Sequence, residues 1–408
     1  MGVINSYRFK TAGQKRLLFD AFPFDVAINR LRSTREAWFY STLGGAVNDV
    51  NAGTIGTNEN ADEASAVACV FFEDEKPVVG LLKDTTERKR ITLSADMTIN
   101  LGGKTLTIEN DYYGLIGVSG NTNKIVIDGR LSGSAVVLNG VDGGGVLFQI
   151  RTNTFTVNGG SYTLNETVSG GQYDSVTMKT GAGGALNAYN CKIINNSAGK
   201  AYAISNNGDA TLCNCNIKAY SNYFFENNSY VALAIGVSNT DTGTMTVNNC
   251  SVIGIHSGLQ NKGVLYVNGG TFEGYGHGGV YFYGDSKNAY VRNATLRTLL
   301  KMPEGYEANA GNNGGGFYFG GTSGNVYMDS CDIYGTAPSQ IFVIKESGNA
   351  LYVSNSAVHN LTGGDANIRI DESNMMYLGV GNNFTAENTN RPGNVIVTNE
   401  VYVQGGGS

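Results

Sequence analysis

The chain has 408 residues, with 57 glycines against 5 prolines, 15% charged residues and a net charge of −6. Glycine this frequent without proline excludes a disordered composition and points to many turns that need positive φ. The negative balance argues against nucleic acid as a partner, and no stretch approaches the roughly 18 apolar residues of a spanning helix, so no membrane insertion is expected.

Residues 1–40 read as a basic, aromatic arm. Seven basic residues, among them Arg8, Lys10, Arg16, Arg30 and Arg32, stand against three acidic ones, with Phe22, Phe24, Trp38, Phe39 and Tyr40 interleaved. Such a segment suits either an extension folded against the main body or an attachment arm that docks on a larger assembly. It lacks the charged start and apolar run of a secretory signal.

Residues 41–84 read as a cap with leading strands. A short helix is predicted over 41–52, with Leu43, Ala46, Val47 and Val50 on one face and Ser41 or Thr42 as its N-cap. A loop follows to residue 64, then strands over 66–72 and 77–82. A helix placed here would close an otherwise open strand end.

Residues 85–403 are organised by one recurring pattern, apolar-x-apolar-x-Asn-small-x-apolar. Residues 245–252 read Met-Thr-Val-Asn-Asn-Cys-Ser-Val, and related copies start at Phe155, Leu186, Ala210, Leu265, Ala289, Val326 and Leu351. The copies recur at uneven steps of roughly 20–40 residues, inside the range of repeat architectures. Within each copy the apolar residues alternate, which is the period of a strand. The expected fold is all-β, a single-stranded right-handed parallel β-helix with loops of varied length at its turns.

Two columns carry that expectation. Asn190, Asn214, Asn249, Asn293 and Asn355, replaced by glycine at 159 and 269, fall where one strand bends into the next, and Asn best tolerates a left-handed backbone. Stacked coils would let these amides bond to one another. The next column (Gly160, Cys191, Cys215, Cys250, Gly270, Ala294, Cys331, Ser356) is small and is expected to fill a narrow inward corner. The cysteines in it read as buried small residues rather than as disulfides. Strands over 367–371, 375–378 and 394–403 end the pattern, and 404–408 is a flexible Gly/Ser tail.

Residues 91–108, with Asp96-Met-Thr-Ile-Asn-Leu-Gly-Gly-Lys-Thr-Leu106, and the Ile125 to Leu131 coil resemble the opening coils of the pectate-lyase-like superfamily. With the Asn-small copies, the resemblance spans roughly 85–403. It implies the right-handed β-helix, and within the superfamily the chain is most similar to bacteriophage tailspike and tail-fibre proteins. That likeness implies a virion appendage assembled in the host cytoplasm and a homotrimer. It also implies an N-terminal arm docking on other virion proteins and binding to host-surface polysaccharide.

Three chemistries find partial matches in the sequence. A polygalacturonase-like hydrolase would use Asn239-Thr-Asp241 and Gly276-His-Gly278, but the family's Asp pair is replaced by Asn261-Lys262 and its Arg-x-Lys is missing. Inverting hydrolysis needs an acid and a base on one face. A calcium-assisted lyase would need clustered carboxylates, whereas Asp128, Asp174, Asp285, Asp329 and Asp332 are scattered over different coils. A binding surface, either a subunit contact or a platform for glycan, fits better: counting eight residues back from each copy aligns Tyr202, Tyr281, Tyr318 and Val343 as one outward column, with His277 just before it. No catalytic residue, metal or cofactor is assigned. A polysaccharide-degrading enzyme with its site in a groove or at a subunit boundary, and a non-catalytic decoration protein or adhesin, are the alternatives.

Overall fold

The structure is a computed structural model. It describes residues 16–17, 36–57, 60–109, 111–140, 144–166, 174–221, 233–299, 316–322, 324–335, 342–344, 351–361, 368–370, 376–378 and 383–384. The described chain is all-β apart from one helix, and its strands lie in long parallel sheets.

Strands fall into three stacks that the chain visits in turn. In the first, Met97–Asn100 pairs in parallel with Lys124–Gly129, then Thr154–Gly159, Ala185–Tyr189 and onward. In the second, Thr105–Glu109 pairs with Ala135–Asn139, then Ser161–Glu166 and Lys192–Ser197. The third is an 11-stranded parallel sheet from Ile91–Leu93 to Ile368–Ile370. Each strand therefore pairs with the one a full circuit later, a path consistent with a β-helix. Alternate residues of one stack, such as Ile127, Val157, Leu212, Val247 and Val291, share a register column and are buried. Burial of such a side chain contributes about 1.5–3 kcal/mol, so the column holds successive rungs in step.

The bend between the first and second stacks follows the sequence reading. Asn190, Asn214, Asn249, Asn293 and Asn355 have φ of 48 to 56°, and Gly159 and Gly269 have 65 and 77°. Ser330 also stands there, at 55°. The following column is buried at Cys191, Cys215, Cys250, Ala294, Cys331 and Ser356 and half-buried at Gly160 and Gly270; its cysteines are free thiols, as are Cys69 and Cys213. Burial pushes the Cys69 thiol up to about 12 and Cys331 to about 11. At Gly160 a Cβ would lie 3.0 Å from the Tyr162 hydroxyl, which already fills that corner.

Among the described residues the expected amide stack at the bend forms only once, where Asn214 Nδ2 donates to Asn190 Oδ1 at 3.4 Å. Asn293 donates instead to Asn268 and Asn355 to Asp329. For these two the reason is local: Gly269 and Ser330 precede them in the column, so the amide reaches the residue before the bend. A continuous amide ladder lies elsewhere, inside the end of the third stack. There Asn206 Nδ2 donates to Asn239 Oδ1 at 2.9 Å, and Asn239 Nδ2 to Asn261 Oδ1 at 2.8 Å, all three side chains fully buried.

Helix α1, Leu43–Ala52, caps the stacks. Thr42 Oγ1 accepts from the Gly45 N–H, and Gly53 closes the helix at φ 66°. Leu43, Ala46, Val47 and Val50 are buried against the first strands, and Asn51 bonds both Thr92 O and the Ser94 N–H. Ahead of it, Glu36–Tyr40 pairs antiparallel with Ala68–Glu73, which forms a hairpin with Lys76–Leu81 over Asp74 and Glu75, both at positive φ. Trp38, Phe39 and Tyr40 are buried there. The end of the segment read as arm is thus built into the cap, because Trp38 and Tyr40 pack into the core with the helix residues while Phe39, facing the other side, packs with Cys69, Phe71 and Val78 of the hairpin.

Candidate functional site

Strand Gly278–Ser286 of the third stack pairs with Phe317–Thr322, setting Val280 opposite Phe317 and Tyr281 opposite Tyr318. Val280, Phe282 and Phe317 point inward and are buried. Tyr281 and Tyr318 are half-buried on the outer side, as alternation along a strand requires. Their rings meet edge to face at 5.0 Å. His277 stacks on Tyr281 at 4.5 Å and meets the edge of Tyr318 at 5.1 Å, and Tyr283 stacks on the other side of Tyr281 at 5.3 Å. Lys262 Nζ sits 4.5 Å from the Tyr283 centroid, within cation–π range. The group offers aromatic carbon, phenol hydroxyls and one cation on a rigid sheet.

Behind it His256 is hydrogen-bonded on both ring nitrogens, Nδ1 to Ser257 Oγ at 2.7 Å and Nε2 to His277 Nδ1 at 2.9 Å. Burial, and then the neighbouring His277, hold its pKa well below the ordinary 6.5. The folded protein therefore refuses a proton that the unfolded chain accepts. Stability from this site is present above the unfolded pKa and is lost as pH falls below about 6.5 toward the lower folded value. The melting temperature is expected to drop between pH 7.5 and pH 5, and to drop less in His256→Gln. An equal drop in both proteins would contradict this.

Tyr202 does not share the Tyr281 column. Register carries Tyr281 back through Gln260 and Ser238 to Ser205, while Tyr202 pairs with Val176 and Ile235. Tyr281 lies eight residues before Ala289, whereas Ser205 lies five before Ala210, so a fixed offset fails where the intervening turn is shorter. Burial, then Asp174 and Tyr283, push the Tyr202 phenol up. Val343 does pair with Tyr318. The Asn239-Thr-Asp241 segment is structural: Asn239 is a rung of the buried ladder, and Thr240 Oγ1 ties the turn to Asn207. Among the described residues, no three His, Cys, Asp or Glu side chains are grouped to hold a metal ion. Arg8, Lys10, Phe22, Phe24, Arg30 and Arg32 lie outside the described residues. Arg16 lies in the short strand Arg16–Leu17, which pairs with Glu36–Tyr40. The strand expected over 394–403 and the tail at 404–408 are likewise outside.

A second aromatic array was not foreseen. On the outer side of the first stack, Tyr266, Tyr290, Tyr327 and Tyr352 occupy one register column. Their rings stack at 5.3, 4.9 and 4.8 Å with interplanar angles of 3, 6 and 9°. Tyr266 is 44% and Tyr290 40% exposed. Tyr377 follows in register. The signal was present in the sequence, since each of these residues is second in its repeat copy, a position that alternation turns outward.

A scan against protein-family models, a search of curated proteins and a search of solved structures each find no match to this chain.

Proposed function

We propose that the chain is a right-handed, single-stranded parallel β-helix that binds glycan, serving as an appendage of a bacteriophage particle that engages host-surface polysaccharide. The three stacks with circuit-to-circuit parallel pairing support the β-helix. The virion context rests on the resemblance of residues 85–403 to tailspikes. The observation that carries the binding reading is the outward group of His277, Tyr281, Tyr283 and Tyr318. Such rings, fixed by their neighbours, give a sugar apolar ring edges and hydroxyl partners at little entropic cost.

The test is binding of the full chain to an array of bacterial surface polysaccharides, followed by titration of the best one. Tyr281→Ala and Tyr318→Ala are each expected to weaken it about tenfold, the loss of about 1.4 kcal/mol. Tyr112→Ala, at a ring 51% exposed outside this group, is expected to leave it unchanged. Binding to no polysaccharide, or binding indifferent to both ring losses, would sink the reading.

A further inference from the structure

The aromatic group of the third stack has a cation built into one end. Asn261 pairs with Phe282, which sets Lys262 beside Tyr283 on adjacent rungs. Backbone bonds hold the lysine there: its N–H donates to Asn239 O at 2.8 Å, and its carbonyl accepts from the Lys287 N–H at 2.8 Å. The ammonium lies 4.5 Å from the Tyr283 centroid. Gly284, at φ 57°, gives the head room, since a Cβ there would stand 3.2 Å from Lys262 Cε and 3.4 Å from Nζ. Ser286 Oγ accepts from the Tyr283 N–H at 3.1 Å and fixes the turn that carries this glycine.

An ammonium has three donors, and an aromatic face offers them no lone pair. Among the described residues Lys262 Nζ donates to no oxygen and forms no ion pair. Asp241, whose charge reaches the Tyr283 phenol, is exposed on the turn of the preceding rung, where water screens it. A bond from this ammonium to a carboxylate or phosphate is roughly twice as strong as one between neutral groups. The chain as a whole carries −6. Charges are screened beyond about 8 Å at physiological salt, so distant acids do not oppose a contact made at Lys262. Tyr281 and Tyr283 are 5.3 Å apart, which places the ammonium within a disaccharide's length of the Tyr281 ring.

We infer that the glycan held by the Tyr281 group is acidic, and that Lys262 pairs with its carboxylate or phosphate. The inference rests on the glycan reading of that group.

The test titrates the full chain with the best-binding polysaccharide of the array, before and after its charge is removed. Carbodiimide with borohydride turns carboxylates into alcohols, and a phosphatase removes pendant phosphates, so the two treatments tell the two anions apart. Removing the charge is expected to weaken binding about tenfold. Lys262→Gln is expected to weaken the untreated polymer by the same factor and to leave the treated one unchanged. Lys192→Gln takes the same unit of charge from an exposed site on the second stack and is expected to change neither. A neutral best polymer, a treated polymer bound as tightly as the untreated one, or a Lys262→Gln variant that keeps the tenfold difference would each overturn the inference. The glycan reading would still stand in those cases if Tyr281→Ala weakens binding. If neither Tyr281→Ala nor Tyr318→Ala has an effect, that reading falls and takes this inference with it.

Discussion

Replacing Asn239 by alanine is expected to lower the unfolding free energy by about 3 kcal/mol. The side chain accepts from Asn206 Nδ2 at 2.9 Å and donates to Asn261 Oδ1 at 2.8 Å and to Val264 O at 3.0 Å, all out of contact with water. A net hydrogen bond contributes only about 1 kcal/mol, but a buried acceptor left without a donor costs about 1–3 kcal/mol, because no water replaces what was removed. Asn165 is the matched control. It makes two amide–amide bonds of the same kind, to Asn139 at 3.3 Å and from Asn196 at 3.1 Å, on the outer side of the second stack. Water substitutes there, so Asn165→Ala is expected to cost under about 1 kcal/mol. Urea midpoints for both variants decide it, together with hydrogen exchange over 206–264. Equal midpoints would mean that burial of the ladder contributes nothing.

That contrast also marks what the sequence discloses. The bend column was legible because a left-handed backbone narrows the choice to Asn, Gly and their near equivalents, and the φ values at Asn190, Asn249 and Asn355 follow from it. The helix was legible because Leu43, Ala46, Val47 and Val50 have helical spacing after Thr42. The buried ladder was not, because Asn206, Asn239 and Asn261 sit at the end of a strand whose following turn varies in length. No constant offset from the repeats finds them. The same variation displaced Tyr202 from the Tyr281 column. Tyr281, Tyr318 and His277 were found because their turns happen to be equal. The Tyr266 column was legible in principle, since like residues at an outward position of successive repeats must stack.

The second large effect is expected at Gly279, where alanine should destabilise the protein by about 2–3 kcal/mol through overpacking. A Cβ there would stand 2.4 Å from Phe272 O and 2.7 Å from Arg297 N, both backbone atoms of the second stack that no rotamer change can move. The position belongs to a column. Gly236 and Gly258, on the two preceding rungs, would press Cβ atoms against backbone at 2.6 and 2.7 Å. On these three rungs the third stack therefore approaches the second at glycine, where earlier rungs of the same column carry Leu147, Thr177 and Ala203, and that close approach sets the strand from which Tyr281 projects two residues later. Gly279→Ala is accordingly expected to weaken glycan binding as well as to lower the melting temperature. Gly140→Ala is the control: its nearest neighbour would be Asn165 O at 3.6 Å, an ordinary contact, so both properties should hold. If Gly279→Ala melts with the unaltered protein and binds as it does, the glycine column does not hold the aromatic group in place. The geometry of that group would then have to come from its own ring contacts with His277 and Tyr318.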